Sequence, residues 1–205
     1  MILIYNTLLT LLGLLLLPLI LPVVLGRAKY RGRTLERLGL KTGRIRERLR
    51  PLGSRPVIWI HALSVGEVTS ATPLVKALRK DMDSAVVVFT AATSSGKKIA
   101  DTLIAPHVDL VLCGPFDLYF AVWQYIGTIR PNLFILVETD FWPNWLHQLK
   151  KKSIPTLLVN GRVSEKSFTA YKRFSFFFKP MFRRFDLLSM QTEEERKKMI
   201  ALDHD

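Results

Sequence analysis

Two stretches of the sequence carry carboxylates in company that an ordinary loop does not need. In HALSVGE, residues 61–67, the acid Glu67 follows Ala62, Ser64 and Gly66, between the apolar run PVIWI and the helix-like VTSATPLVKALRK. In ETDFWPNW, residues 138–145, Glu138 and Asp140 leave an apolar run and meet Trp142, Pro143 and Asn144. A carboxylate at the mouth of a buried sheet can take the proton of an attacking hydroxyl as a general base. Ser64 and Glu67 also stand in S-x-x-E register, the capping-box signature, in which hydroxyl and carboxylate satisfy backbone N–H groups at a helix start. The residues alone leave both roles open for Glu67. TEEE at 192–195 has the same register and no chemistry around it. His61 is a second candidate base, set against the commoner role of a satisfied structural group at a strand end.

Three further features bear on the same chemistry. Charges at a sheet edge cost free energy, which Pro143 as the first residue of a helix does not explain for Glu138 and Asp140. TAATSSGKK, residues 90–98, offers hydroxyls and backbone donors up to Gly96 at a helix start, suited to a phosphate or a sugar or simply to a capped helix. It lacks the glycine pattern of a dinucleotide or P-loop site. In NGRVSEKS, residues 160–167, Arg162 is placed to pair with an acid, to bind an anion or to sit in a solvated turn.

The elements that must position these residues follow from hydrophobic patterning. Short β-rich apolar runs occur at 57–60, 85–90, 108–113, 132–138, 156–161 and 186–190, separated by helical spacing near 67–80, 95–104, 117–129, 142–152, 166–184 and 192–201. Strands apolar on both faces and alternating with helices indicate a parallel sheet covered on both sides, a Rossmann-like α/β layer. Such a sheet gathers the loops after its strands on one edge, where ligands bind. Four of the chemically suggestive loops follow strands.

Residues 2–26 contain no charged side chain. As a helix they would run roughly 38 Å at about 1.5 Å per residue, longer than a hydrocarbon core of about 30 Å. The usual basic leader and cleavage site of a signal peptide are missing, so the expectation is an uncleaved membrane anchor, residues 1–26. The basic run that follows, to residue 55, holds only Glu36 and Glu47 as acids, which predicts a cytoplasmic domain beyond it and attraction to anionic lipid. Much of the formal charge of +13 comes from this run, favouring membrane-surface or phosphate partners over nucleic acid, for which no zinc-finger or RNA-recognition pattern exists. Cys113 is the single cysteine, which excludes an internal disulfide and a cysteine-clustered metal site and reads as a buried thiol at a strand end. YKRFSFFFKPMFRRF, residues 171–185, suits either a helix buried between layers or one lying at a membrane surface.

Taken in order behind the anchor, HALSVGEV, TAATSSGKK, GPFDL, ETDFWPNW and NGRVSEKSFTAYKRF resemble the Kdo (3-deoxy-D-manno-octulosonic acid) transferases of lipopolysaccharide synthesis, over nearly the whole chain. The resemblance implies a GT-B fold of two Rossmann-like domains, of which residues 56–205 answer to the N-terminal, acceptor-side one. The donor-side domain, which supplies most contacts to CMP-Kdo, would then lie beyond Asp205. It implies inverting transfer of Kdo from CMP-Kdo to lipid A precursor without a metal or other cofactor, at the cytoplasmic side of the inner membrane. Glu67 is implied as the general base and Glu138 as a stabiliser or organiser of the transition state. Asp140 stands where the family commonly has Glu and Phe141 where Leu is usual. Ser64, Gly66, Thr93, Ser95, Gly96, Asn144 and Arg162 match cleft-facing loops and are expected to contact substrate. A membrane-anchored module that binds the acceptor lipid without catalysis is the alternative. A nucleotide-dependent oxidoreductase is disfavoured, because no G-x-G-x-x-G follows the first strand.

Overall fold

The computed structural model describes residues 1–26, 28–138 and 141–203; Asp140 lies outside them, together with Thr139. After the apolar helix α1 (Ile2–Gly26), two short helices follow, α2 (Ala28–Arg37) and α3 (Thr42–Leu49). Then strands and helices alternate: β1 (Val57–Ala62), α4 (Val65–Asp81), β2 (Val86–Ala91), α5 (Ser94–Leu103), β3 (Leu110–Cys113), α6 (Tyr119–Ile129), β4 (Leu133–Val137) and α7 (Pro143–Lys151). The chain ends through β5 (Thr156–Gly161), α8 (Glu165–Arg173), α9 (Ser175–Phe182), β6 (Leu187–Met190) and α10 (Glu193–Asp203).

The strands form one parallel sheet in the order β3-β2-β1-β4-β5-β6. This is the Rossmann-like layer that the alternating pattern predicts. β1 runs between β2 and β4, with Ile58 opposite Val87 on one side and Leu133 on the other. Because the central strands are covered on both faces, each needs apolar residues at consecutive positions, and Trp59 and Ile60 are both fully buried. Ile58, Ile60, Val87 and Phe89 pack under α4 and α5 through Val68, Ala71, Val75 and Ala100. The opposite face carries Trp59, Val88 and Phe134 against Ile45 of α3, Tyr125 of α6, and Trp145 and Leu149 of α7. Trp59, Phe134 and Trp145 meet ring to ring at 4.8–5.4 Å between centroids, and burial of each such ring contributes about 1.5–3 kcal/mol.

The basic run between α1 and β1 is folded onto the sheet. Arg33 donates to the Ala92 carbonyl (2.8 Å), Arg37 to the Gly114 carbonyl (2.9 Å), and Glu36 accepts from the Cys113 amide (3.2 Å). α2 therefore sits at the carboxyl end of β2 and β3. Cys113 is a buried free thiol at the end of β3.

The single helix expected over 166–184 is two. The break at Phe174 turns α9 so that Tyr171, Phe178 and Phe182 converge, with Phe141 against Tyr171 and Phe182, at 4.4–6.1 Å between ring centroids. Phe174 and Phe176 are left outside, 47% and 76% exposed. One aromatic segment thus serves the core and the surface together.

Candidate active site

The chain leaves β1 in one direction, through β2 to β3, and returns to place β4 on the other side of β1. The crevice beyond the carboxyl ends of β1 and β4 is the switch point at which doubly wound sheets bind ligands. Glu67 stands at the mouth of β1 and Glu138 at the mouth of β4.

Ser64 caps α4: its Oγ accepts from the Glu67 amide at 3.4 Å and donates to Glu67 Oε1 at 3.2 Å. Glu67 Oε2 in turn accepts from the Leu63 amide at 2.5 Å. The cap and the carboxylate are therefore one hydrogen-bonded unit. An ionised carboxylate has about four acceptor positions, so each oxygen of Glu67 keeps capacity for a further donor. The side chain is buried, at 7% exposure. Burial pushes its carboxyl above the ordinary range, the Leu63 amide pulls it back, and the charge of Glu138 adds to the rise. Such a carboxylate is a better proton acceptor than one in water.

Glu138 is held differently. Its backbone is left-handed, φ +65°, a conformation uncommon for a residue with a side chain. Its amide donates to the Val159 carbonyl at 2.9 Å, keeping the ladder while the chain turns out of β4. Ser70, one helical turn beyond Glu67, brings its hydroxyl to 3.3 Å from Glu138 Oε1 and 3.0 Å from the Glu67 carbonyl. Patterning passed over Ser70, although its i, i+3 spacing from Glu67 puts both on one face of α4.

On the β2 side, Thr93 caps α5, its Oγ1 accepting from the Gly96 amide at 3.0 Å. A side chain at Gly96 would meet Thr93 Oγ1 at 2.9 Å and the Leu63 carbonyl at 3.1 Å, so glycine lets the two helix starts touch. Ser95 and Gly66 are exposed on these starts, and Arg162 is exposed just past β5. Along the sheet edge the order is Thr93, Ser95 and Gly96, then Ser64, Gly66 and Glu67, then Glu138, then Arg162.

Asn144 does not join this row. It is fully buried, its amide nitrogen Nδ2 donates to the Asp117 carbonyl (2.7 Å) and to Asn6 Oδ1 (2.8 Å), and its backbone N–H donates to the Asp117 carboxylate. A packed side chain with these donors committed shapes the edge without offering itself to a ligand. Asp117, in the GPFDL loop, went unsingled in the sequence; it also receives Tyr5 Oη–H at 2.8 Å and the Trp145 amide at 3.2 Å. Burial outweighs these donors and pushes its carboxyl up to about 7.

His61 is likewise internal. Its Nδ1 lies 2.8 Å from Thr90 Oγ1, its ring lies 4.5 Å from that of Trp145, and burial, reinforced by Arg37, depresses it to about 3. An imidazole so placed is neutral and closed off, and it does not join the carboxylates at this edge. Among the described residues no group of three or more His, Cys, Asp or Glu side chains is placed to hold a metal ion.

Solved structures of similar fold include a UDP-N-acetylglucosamine 2-epimerase (12% identity, TM-score 0.53, 74% of this chain and 46% of that one). Another is the UDP-GlcNAc 2-epimerase of Neisseria meningitidis bound to UDP-GlcNAc (10% identity, TM-score 0.50, 71% and 43%). At such identities the likeness is one of fold. Sequence relatives are nearer: the 3-deoxy-D-manno-octulosonic acid transferase of Haemophilus influenzae is 33% identical over 147 residues, 72% of this chain and 34% of the relative. The transferase of the same name from Chlamydophila psittaci is 29% identical over 188 residues, 90% of this chain and 42% of the relative. The chain thus spans about two fifths or less of these relatives. The family model for 3-deoxy-D-manno-octulosonic-acid transferase (kdotransferase) matches residues 33–205, covering every loop of the edge described above, and the chain belongs to that family.

Proposed function

We propose that this chain is the acceptor-side part of a glycosyltransferase that moves Kdo from CMP-Kdo to lipid A precursor in lipopolysaccharide synthesis. In this reading residues 1–26 anchor it to the inner membrane, 27–55 form a basic segment beside that membrane, and 56–205 form the acceptor-side domain on the cytoplasmic side. The observation that carries the reaction is a buried, capped Glu67 at the β1/β4 switch point, with its carboxyl raised by burial and by the neighbouring charge of Glu138. Glu67 takes the proton of the acceptor hydroxyl while that oxygen forms the new bond to the anomeric carbon of Kdo, and CMP departs with the electron pair from the opposite face. The anomeric configuration is thereby inverted. Glu138, steered by its left-handed backbone and the Ser70 hydroxyl, stabilises positive charge that develops on the sugar. Ser64, Gly66, Thr93, Ser95 and Arg162 line the acceptor's approach, and no metal or other cofactor takes part.

The donor is held mostly by a C-terminal domain of the transferase. Catalysis needs both substrates held in attacking geometry, a requirement able to account for about 7–11 kcal/mol of a barrier. Purified residues 1–205, given CMP-Kdo and lipid A precursor, are therefore expected to transfer little, and the complete transferase to transfer readily. Robust turnover by 1–205 would overturn the need for a second domain; no transfer by the complete protein would overturn the reaction itself.

A further inference from the structure

The anchor helix is tied to the domain at both ends. Near its start, Tyr5 Oη–H donates to Asp117 Oδ2 (2.8 Å), and the side-chain amides of Asn6 and Asn144 exchange two hydrogen bonds of 2.8 Å each. The Tyr5 ring lies 6.4 Å from that of Phe177 on α9. Ile2, Tyr5, Asn6 and Leu9, one stripe of α1 at helical spacing, are half-buried by these contacts, whereas Leu3, Leu8, Leu15 and Leu19 are 62–77% exposed. At its far end, Val23 and Val24 share a hollow with Arg37 and Phe116, the neighbour of Asp117 in sequence. α2 begins two residues after α1 ends and is pinned to the sheet edge by Arg33 and Arg37.

These contacts are incompatible with a helix that crosses a bilayer. The helical rise from Asn6 to Val24 is about 27 Å, close to the hydrocarbon thickness of about 30 Å. A crossing would leave Tyr5 and Asn6 on the side opposite α2, while Asp117 and Asn144 remain with the domain. Nor can the polar domain follow them into hydrocarbon. We infer that α1 lies along a single leaflet, held to the domain by the Tyr5–Asp117 and Asn6–Asn144 latch, with its exposed leucines in the acyl layer. The occupant of the unpartnered faces is lipid: α1 carries no charge and has mean hydropathy 2.8 over its most apolar stretch. The basic α2 and α3 follow it at headgroup level, and exposed Phe176 adjoins the Phe177 that meets Tyr5. Asp117 and Asn144 belong to the carboxyl edge of the sheet, so an in-plane helix brings the Glu67 edge down to the membrane surface.

The inference uses only the membrane part of the proposed function, and its test reads position, so failure of the transfer reaction would not disturb it. Variants that add one cysteine, Ile2→Cys or Lys76→Cys, to the full chain are treated with a membrane-impermeant maleimide in sealed right-side-out and inside-out vesicles of phosphatidylethanolamine and phosphatidylglycerol. The parent, with its buried Cys113, sets the background. Both positions are expected to label from the same side, since residue 76 is an exposed site on the domain; labelling from opposite sides overturns the inference. A fluorophore on Leu8→Cys, Leu14→Cys or Leu19→Cys, quenched by lipids brominated at graded depth, should report one shallow depth for all three. A profile deepest at 14 and shallow at 8 and 19 overturns it too. Finally, Tyr5→Phe combined with Asn6→Leu should move a measurable share of residue 2 to the opposite side, and no movement would overturn the latch as what holds the helix down.

Discussion

Glu67 and Glu195 occupy the same place in two helices, each the third residue after a hydroxyl cap. Thr192 Oγ1 accepts from the Glu195 amide and donates to Glu195 Oε2, both at 3.2 Å, repeating the plan of Ser64 and Glu67. Each second carboxylate oxygen also reaches back to a backbone amide, Val163 for Glu195 and Leu63 for Glu67. The surroundings differ. Glu195 lies in the first turn of α10, beside the outermost strand, and the residue that caps it is exposed, whereas Glu67 is buried at the switch point with a second acid near it. The same hydrogen-bond pattern starts both helices, and burial with a like-charged neighbour is what sets Glu67 apart and carries the proposed role as proton acceptor. Capping and the proposed catalytic role are compatible at Glu67, since the cap fixes where the carboxylate points.

The comparison breaks most readily on activity. In the complete transferase, Glu67→Gln is expected to lower Kdo transfer by about 10²–10⁴-fold, the range a positioned acid or base supplies, while Glu195→Gln should stay within about twofold of the parent. Equal losses would remove the distinction between the two glutamates. Stability should show them alike: Ser64→Ala and Thr192→Ala each cost about 1 kcal/mol of cap energy, read from urea midpoints at constant slope. A neutral Ser64→Ala would mean that Glu67 is held by something other than its cap. The smallest effect concerns pH. Glu67 must be ionised to act, so transfer is present above its raised pKa and lost as pH falls through it. Glu138→Gln removes the like charge and should displace that acid limb to lower pH; displacement to higher pH would mean that Glu138 acts on Glu67 by some other route.

Much of this was legible in the residues. Strands buried on both faces announce themselves as unbroken apolar runs, and all six fell where VIWI, AVVVFT and their successors placed them, within a few residues. The S-x-x-E register located the cap, and the loops after the strands located the edge. Asn144 was misleading because a motif residue beside two acids reads as a ligand contact, although its amide completes an internal lattice with Asp117 and Asn6. Those partners lie 27 and 138 residues away, and local pattern carries no information about pairings at that range. For the same reason the sequence marks α1 as an apolar anchor but not its contacts with the domain: length and hydropathy are properties of the segment, whereas the Tyr5–Asp117 hydrogen bond joins residues 112 apart. In the aromatic stretch 171–185, composition left two roles open because rings on both sides of Phe174 join the core while Phe174 and Phe176 themselves stay exposed.

The missing side chain at Gly96 has a mechanical consequence. With only a hydrogen between the start of α5 and the Leu63 carbonyl, the two turns have no slack. A side chain at position 96 would have to push the Leu63 peptide aside, and the N–H of that peptide is the donor that grips Glu67 Oε2. The space between two helix starts and the aim of the carboxylate are thus set by the same peptide, as in a gauge whose stop and pointer are cut from one piece.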